Sequence, residues 1–136
     1  MAPAYGLPIP GATAKKIAAA TLAEARRNTW AMAVAIVDPA GTLVYFEKID
    51  ETQHGSVTVA IEKARSAALF KRPTKSFQDA VAGGGVGVRV LALPGALPLE
   101  GGVPLVIDGL IVGAIGVSGG TSEQDIQCAE VGIAAL

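Results

Sequence analysis

The chain has 136 residues, 51 % apolar and 17 % charged, with a net charge of −1. That length suits one domain, residues 1–136, with a core of its own. The near-neutral charge, with no basic cluster, gives no footprint for nucleic acid. No apolar run reaches the ~18 residues of a membrane span, and one histidine with one cysteine excludes a zinc site of four Cys/His ligands. Cys128 stands alone, so no intramolecular disulfide forms. Met1 to Pro10 has neither a basic nor a long apolar leader, and a cytoplasmic location is the expectation.

Tyr5 to Pro10 holds two prolines and reads as an extended arm. Gly11-Ala12-Thr13 opens a helix to about Asn28. Its face of Ala14, Ile17, Ala18, Thr21, Leu22 and Ala25 repeats at helical spacing, with Arg26 and Arg27 suiting the C-terminal dipole. Trp30 to Val37 reads as a strand, with Met32, Val34 and Ile36 on one face and alanines on the other, so both faces are covered. Asp38-Pro39-Ala40-Gly41 suits a type I turn, with Asp38 bonding the turn's own backbone. Thr42 to Ile49 returns as its partner.

Asp50 to His54 is a polar connection, and Ser56 suits the cap of a helix to about Phe70. Val57, Ala60, Ile61, Ala64 and Ala67 or Ala68 form its buried stripe, leaving Glu62, Lys63 and Arg65 to other faces. Pro73 breaks this helix, and Thr74 suits the cap of a short one through about Val81. Gly83 to Gly87 is a connection between helix and strand, in the wrong order for a phosphate loop; a flexible lid is the functional version of it. Val86 to Leu93 reads as a strand carrying Arg89, and Pro94 to Glu100 as a loop.

Two apolar runs, Val103–Ile107 and Leu110–Val117, flank Asp108-Gly109, which suits a type I′ hairpin. After Ser118-Gly119-Gly120, the spacings Thr121/Gln124 and Ser122/Asp125 both fit a capping box, opening a helix from about Ser122 to Ala135. Five strands in two hairpins, with helices between, predict an α+β fold: a five-stranded antiparallel sheet flanked by helices.

The chemistry-bearing residues are few. Ser118, Gly119 and Gly120, before a helix N-terminus, are expected to receive an acid group of a small-molecule ligand, with Lys63 adding positive charge. His54 and Lys63 are the candidates for catalytic proton transfer. A haem needs only one axial ligand from the protein. His54, the one imidazole, is the first candidate for the iron, with Tyr5 and Cys128 after it.

Several segments carry a resemblance: Val34-Ala35-Ile36-Val37-Asp38 with Gly41; Ala60, Lys63-Ala64 and Ala67; Gly101-Gly102-Val103-Pro104; Asp108-Gly109; and Gly113-Ala114-Ile115-Gly116-Val117-Ser118-Gly119 with Asp125. In these the chain resembles the GlcG/HbpS family of haem-binding or haem-degrading proteins, which includes the C-terminal domain of PduO-type proteins. The resemblance implies a five-stranded antiparallel sheet, a homo-oligomer, often an octamer, and haem as ligand. Three functions follow as expectations: a haem-binding protein with or without slow haem degradation, an enzyme acting on a small organic acid at the Ser118–Gly120 loop, and an accessory oligomer without catalysis. Half-apolar composition and alanine-rich helix faces support the oligomer independently.

Overall fold

The computed structural model describes residues 2–136; of the Met1–Pro10 arm, Met1 lies outside the described residues. In chain order the elements are β1 (Ala4–Tyr5), α1 (Gly11–Arg27), β2 (Ala33–Val37), β3 (Leu43–Lys48), α2 (Gly55–Phe70), α3 (Lys75–Ala82), a 3₁₀ segment (Gly85–Ala92), β4 (Gly102–Ile107), β5 (Leu110–Ser118) and α4 (Ser122–Ile133).

The sheet is built around β5. One of its edges takes β4 in the Asp108-Gly109 hairpin. Both turn residues have positive φ, 51° and 77°, as a type I′ turn requires. The other edge takes β2, antiparallel from Ala114 to Ser118, and β1 beside Leu110 and Ile111. β3 pairs with β2 across the Asp38–Gly41 turn. There the Asp38 carboxylate accepts from the amides of Ala40 and Thr42 at 2.9 and 3.0 Å.

The two faces of the sheet bury different kinds of side chain. Val34 and Ile36 of β2, with Ile115 and Val117 of β5, pack against Ala14, Ile17, Ala18 and Leu22 of α1 and Cys128 and Ala129 of α4. Ala33, Ala35, Val37 and Ala114 pack instead against Ala60, Ala64, Ala67 and Ala68 of α2. This is the strand alternation expected from the sequence. Small residues on both sides let α2 sit close to the sheet: a Cβ at Gly102 or Gly116 would run into the α2 backbone at Lys63 or Ala60.

Two expectations need correction. The sheet has five strands but is mixed, because β1 runs parallel to β5. The N-terminal arm, read as extended but not counted among the strands, supplies that strand. Gly6 and Ile9 extend the pairing, donating to the carbonyls of Ile111 and Val112 at 2.8 and 2.9 Å. Val86–Leu93, expected as a strand, is instead 3₁₀-helical over Gly85–Ala92. Its valines favour a strand, but a strand needs a partner edge. Positive φ at Gly84 and Gly85 turns the chain back, and Gly87 lies against the Ala80 backbone of α3.

The helix starts also sort themselves. Thr121 and Gln124 form the capping box of α4, side chain to backbone in both directions at 3.2 and 3.1 Å. Ser56 and Thr74 do not cap their helices. The Ser56 hydroxyl accepts from Gln53. The buried Thr74 hydroxyl accepts from the Gly102 amide at 2.9 Å, and its own amide donates to Gly102 O, tying α3 to the start of β4.

Candidate functional site

Lys63 lies on the buried stripe of α2, between Ala60 and Ala64, and is 3 % exposed. Its chain passes through space left by missing side chains: a Cβ at Gly101 would stand 2.8 Å from Nζ, and one at Gly116 3.1 Å from the Lys63 Cβ. Nζ emerges at the C-terminal end of β5. There it donates to Val117 O at 2.8 Å and to Asp125 Oδ2 at 2.9 Å. Asp125, also 3 % exposed, uses Oδ1 to accept from the Gly120 amide at 3.0 Å. One buried ion pair thus joins α2, β5 and the first turn of α4.

Burial raises the Asp125 carboxyl above its usual 3.8, while the hydrogen bond and charge of Lys63 and the Gly120 amide pull the other way. Inside a protein such a pair must satisfy its remaining polar atoms. No buried side-chain nitrogen or oxygen among the described residues is left without a partner.

The structure therefore brings Lys63 to the Ser118–Gly120 loop, as the sequence reading requires, and places Asp125 between them. The positive charge at that helix start is matched by the chain's own carboxylate. The Gly120 amide goes to Asp125 and the Thr121 amide to Gln124. Ser118 is buried. Gly119, at φ 147°, sits where a Cβ would be 2.9 Å from the Met32 Cα, so its lack of a side chain serves the packing on the entry to β2. Two of the three Lys63 N–H donors are taken by these partners.

The iron candidates lie elsewhere and apart. His54 is exposed at the start of α2, and its ring makes no hydrogen bond among the described residues. Cys128 is fully buried, its thiol pushed up to about 11 by burial, with Glu24 and Asp125 adding to the rise. A thiol in that state is a poor metal ligand. Tyr5 is half-exposed, and its hydroxyl donates to Ala68 O at 2.7 Å. Among the described residues no three His, Cys, Asp or Glu side chains converge on a metal site, and no helix is long and apolar enough to cross a membrane.

Open depressions mark the surface. One of about 390 Å³ is lined by Tyr5, Pro39, Ala40 and Leu69, and one of about 310 Å³ by Arg89, Val90, Ala92 and Leu93. Sequence reasoning missed two groupings here. The signal for Lys63 was its place in the alanine stripe, three residues after Ala60 and four before Ala67. The Tyr5 depression has no sequence signal, because its lining comes from three separate segments.

A family model described as haem degrading protein, HbpS-like, matches residues 9–134. Protein GlcG of Escherichia coli (strain K12) is 40 % identical over 105 residues, 77 % of each chain. The crystal structure of a PduOC complex with haem superposes with a TM-score of 0.86 at 27 % identity, covering 96 % of both chains. That of HbpS superposes with a TM-score of 0.87 at 29 % identity, covering 96 % of this chain and 92 % of the other.

Proposed function

From its membership of the HbpS-like family, we propose that this chain binds haem. The observation that carries the reading is the haem complex of PduOC, whose fold this chain matches over nearly its whole length. The residues present fit such a group in one respect that matters. Of the three iron candidates named from the sequence, Cys128 is sealed in the core, while His54 and Tyr5 both reach solvent. They stand at opposite ends of α2, His54 before its first turn and Tyr5 against its last carbonyls. A haem requires one protein ligand: the His54 ring has no hydrogen-bond partner among the described residues, whereas the Tyr5 hydroxyl would have to give up Ala68 O. When bound, the group supplies redox-active iron and visible absorbance. The chain's own residues bind and orient it.

Titration of the pure protein with haem tests the reading. The expected result is a Soret band that shifts and saturates at one haem per chain; an unshifted, non-saturating band would reject it. Haem degradation is a narrower reading. A protein that turns haem over loses the band with time under air and a reductant, whereas one that only holds it does not.

We also propose a homo-oligomer. Val86 and Leu91 of the 3₁₀ segment are 78 % and 65 % exposed, and Leu7 of the arm is 84 % exposed. Val86 and Leu91 share one short segment, and apolar side chains exposed together in this way favour an interface. Light scattering at micromolar concentration is expected to give a particle of more than one chain, and a monomer would reject the assembly.

A further inference from the structure

We propose that the depression at the C-terminal end of α2 is where the ring of a carboxylate-bearing tetrapyrrole docks, with Lys71 receiving an acid group. The inference rests on the haem reading and adds the place. Its floor is apolar and comes from three parts of the fold: Tyr5 of β1, Pro39 and Ala40 of the turn between β2 and β3, and Leu69 of α2, around about 390 Å³. Tyr5 and Leu69 are 44 % and 41 % exposed, so their apolar surface is available to a flat ring. The Tyr5 ring is held by the bond from its hydroxyl to Ala68 O. The depression is open, so it meets a planar ligand on one face only.

Charge at the rim favours an acid. The Lys71 Nζ stands 4.6 Å from the centroid of the Tyr5 ring and has no carboxylate within 4 Å among the described residues. The end of a helix ordinarily repels anions through its free carbonyls. Here those carbonyls are taken. Ala67 O accepts from the amides of Lys71 and Arg72, Ala68 O and Leu69 O from the Tyr5 hydroxyl, and Phe70 O from the Arg72 Nε. Asp38, the carboxylate of the neighbouring turn, is engaged by its own loop amides. Arg65 donates to Gly41 O at 2.9 Å, with Glu62 3.8 Å away. The balance around the apolar floor is positive.

The other end of α2 offers less. His54 is flanked by Thr52, Gln53, Gly55 and Ser56, and none of these gives a ring an apolar face. It lies 15 residues before Leu69, about 22 Å along the helix, a distance one tetrapyrrole does not bridge. A ligand seated at Tyr5 is therefore out of reach of His54 on the same chain.

Protoporphyrin IX, which has no iron, separates ring and acid contacts from metal ligation. It and haem are titrated into the full chain and into three variants, with folding checked by circular dichroism. Wild type is expected to bind both. Leu69→Glu and Lys71→Glu should each weaken both by about tenfold or more, and His54→Ala should leave protoporphyrin IX, which has no iron to ligate, within about twofold. Should Leu69→Glu not fold, Lys71→Glu decides alone. Unchanged affinity in the folded depression variants, or loss of protoporphyrin IX binding in His54→Ala, overturns this site and leaves haem binding standing. A wild type that binds neither compound overturns both readings.

Discussion

Lys63→Met is expected to lower folding stability by about 3–5 kcal/mol at neutral pH, the cost of leaving one member of a buried ion pair uncompensated. Methionine keeps the length and apolar stem of the side chain, so packing changes little and the lost charge dominates. Asp125 would remain 3 % exposed, with only the Gly120 amide to support its charge. Its carboxyl, already raised above 3.8 by burial, would rise further without Lys63. An acid whose folded pKa exceeds its unfolded value binds more protons when folded. Stability then falls as pH rises through the window between the two. The deficit of Lys63→Met should therefore be largest near neutral pH and shrink as pH falls into the window above 3.8, where Asp125 takes a proton. Urea unfolding from pH 7 downward reads this as a shift in midpoint at constant slope. A deficit below about 1 kcal/mol at pH 7, or one indifferent to pH, would contradict the account. The double variant Lys63→Met/Asp125→Leu should recover much of the loss, because two apolar side chains can replace a buried pair.

Gly116→Ala is the second large effect. A Cβ there would stand 2.6 Å from the Ala64 nitrogen and still closer to Ala60 O. Both atoms belong to the backbone of α2, so no side-chain rotation relieves the contact. The helix would have to lift from the sheet, drawing Lys63 away from Val117 and Asp125. An overpacking cost of about 3 kcal/mol is expected, read as a lower midpoint in thermal unfolding. Gly55→Ala is the matched control. Nothing lies within 4 Å of its Cβ, and in a helix alanine replaces glycine at no cost or with a gain of up to about 1 kcal/mol. Equal midpoints for the two variants would mean that α2 does not rest on the sheet as closely as Gly116 implies.

Local chemistry was legible in the sequence. Asp108-Gly109 announced its hairpin, Asp38 its turn and Thr121/Gln124 its capping box, because each depends on residues a few positions apart. The alternation in β2 correctly told that both faces of the strand are covered. The failures share a different cause. Val86–Leu93 has the composition of a strand, but no free edge lies beside it. Ala4–Tyr5 is too short to show a period, and only β5, far along the chain, makes it a strand. Lys63 was set on an outer face, since charge in a helix usually means solvent. Its partner Asp125 was read as a capping-box residue, and only the fold brings the two together. The Tyr5 depression is assembled wholly from long-range neighbours.

The place of β5 bears on how the chain acquires its shape. The strand bonded to β1, β2 and β4 is synthesised after all three of them. Until Leu110–Ser118 has emerged, β1 has no partner in the sheet, β2 has one open edge, and the alanine face of α2 lacks half of its bed. The closing contacts join Ala4 to Leu110 and Ala33 to Ser118, loops of high sequence separation, which slow the search for the native pairing. The growing polypeptide thus carries an open-edged β2–β3 ribbon until β5 emerges, a state in which open strand edges invite mispairing between neighbouring chains.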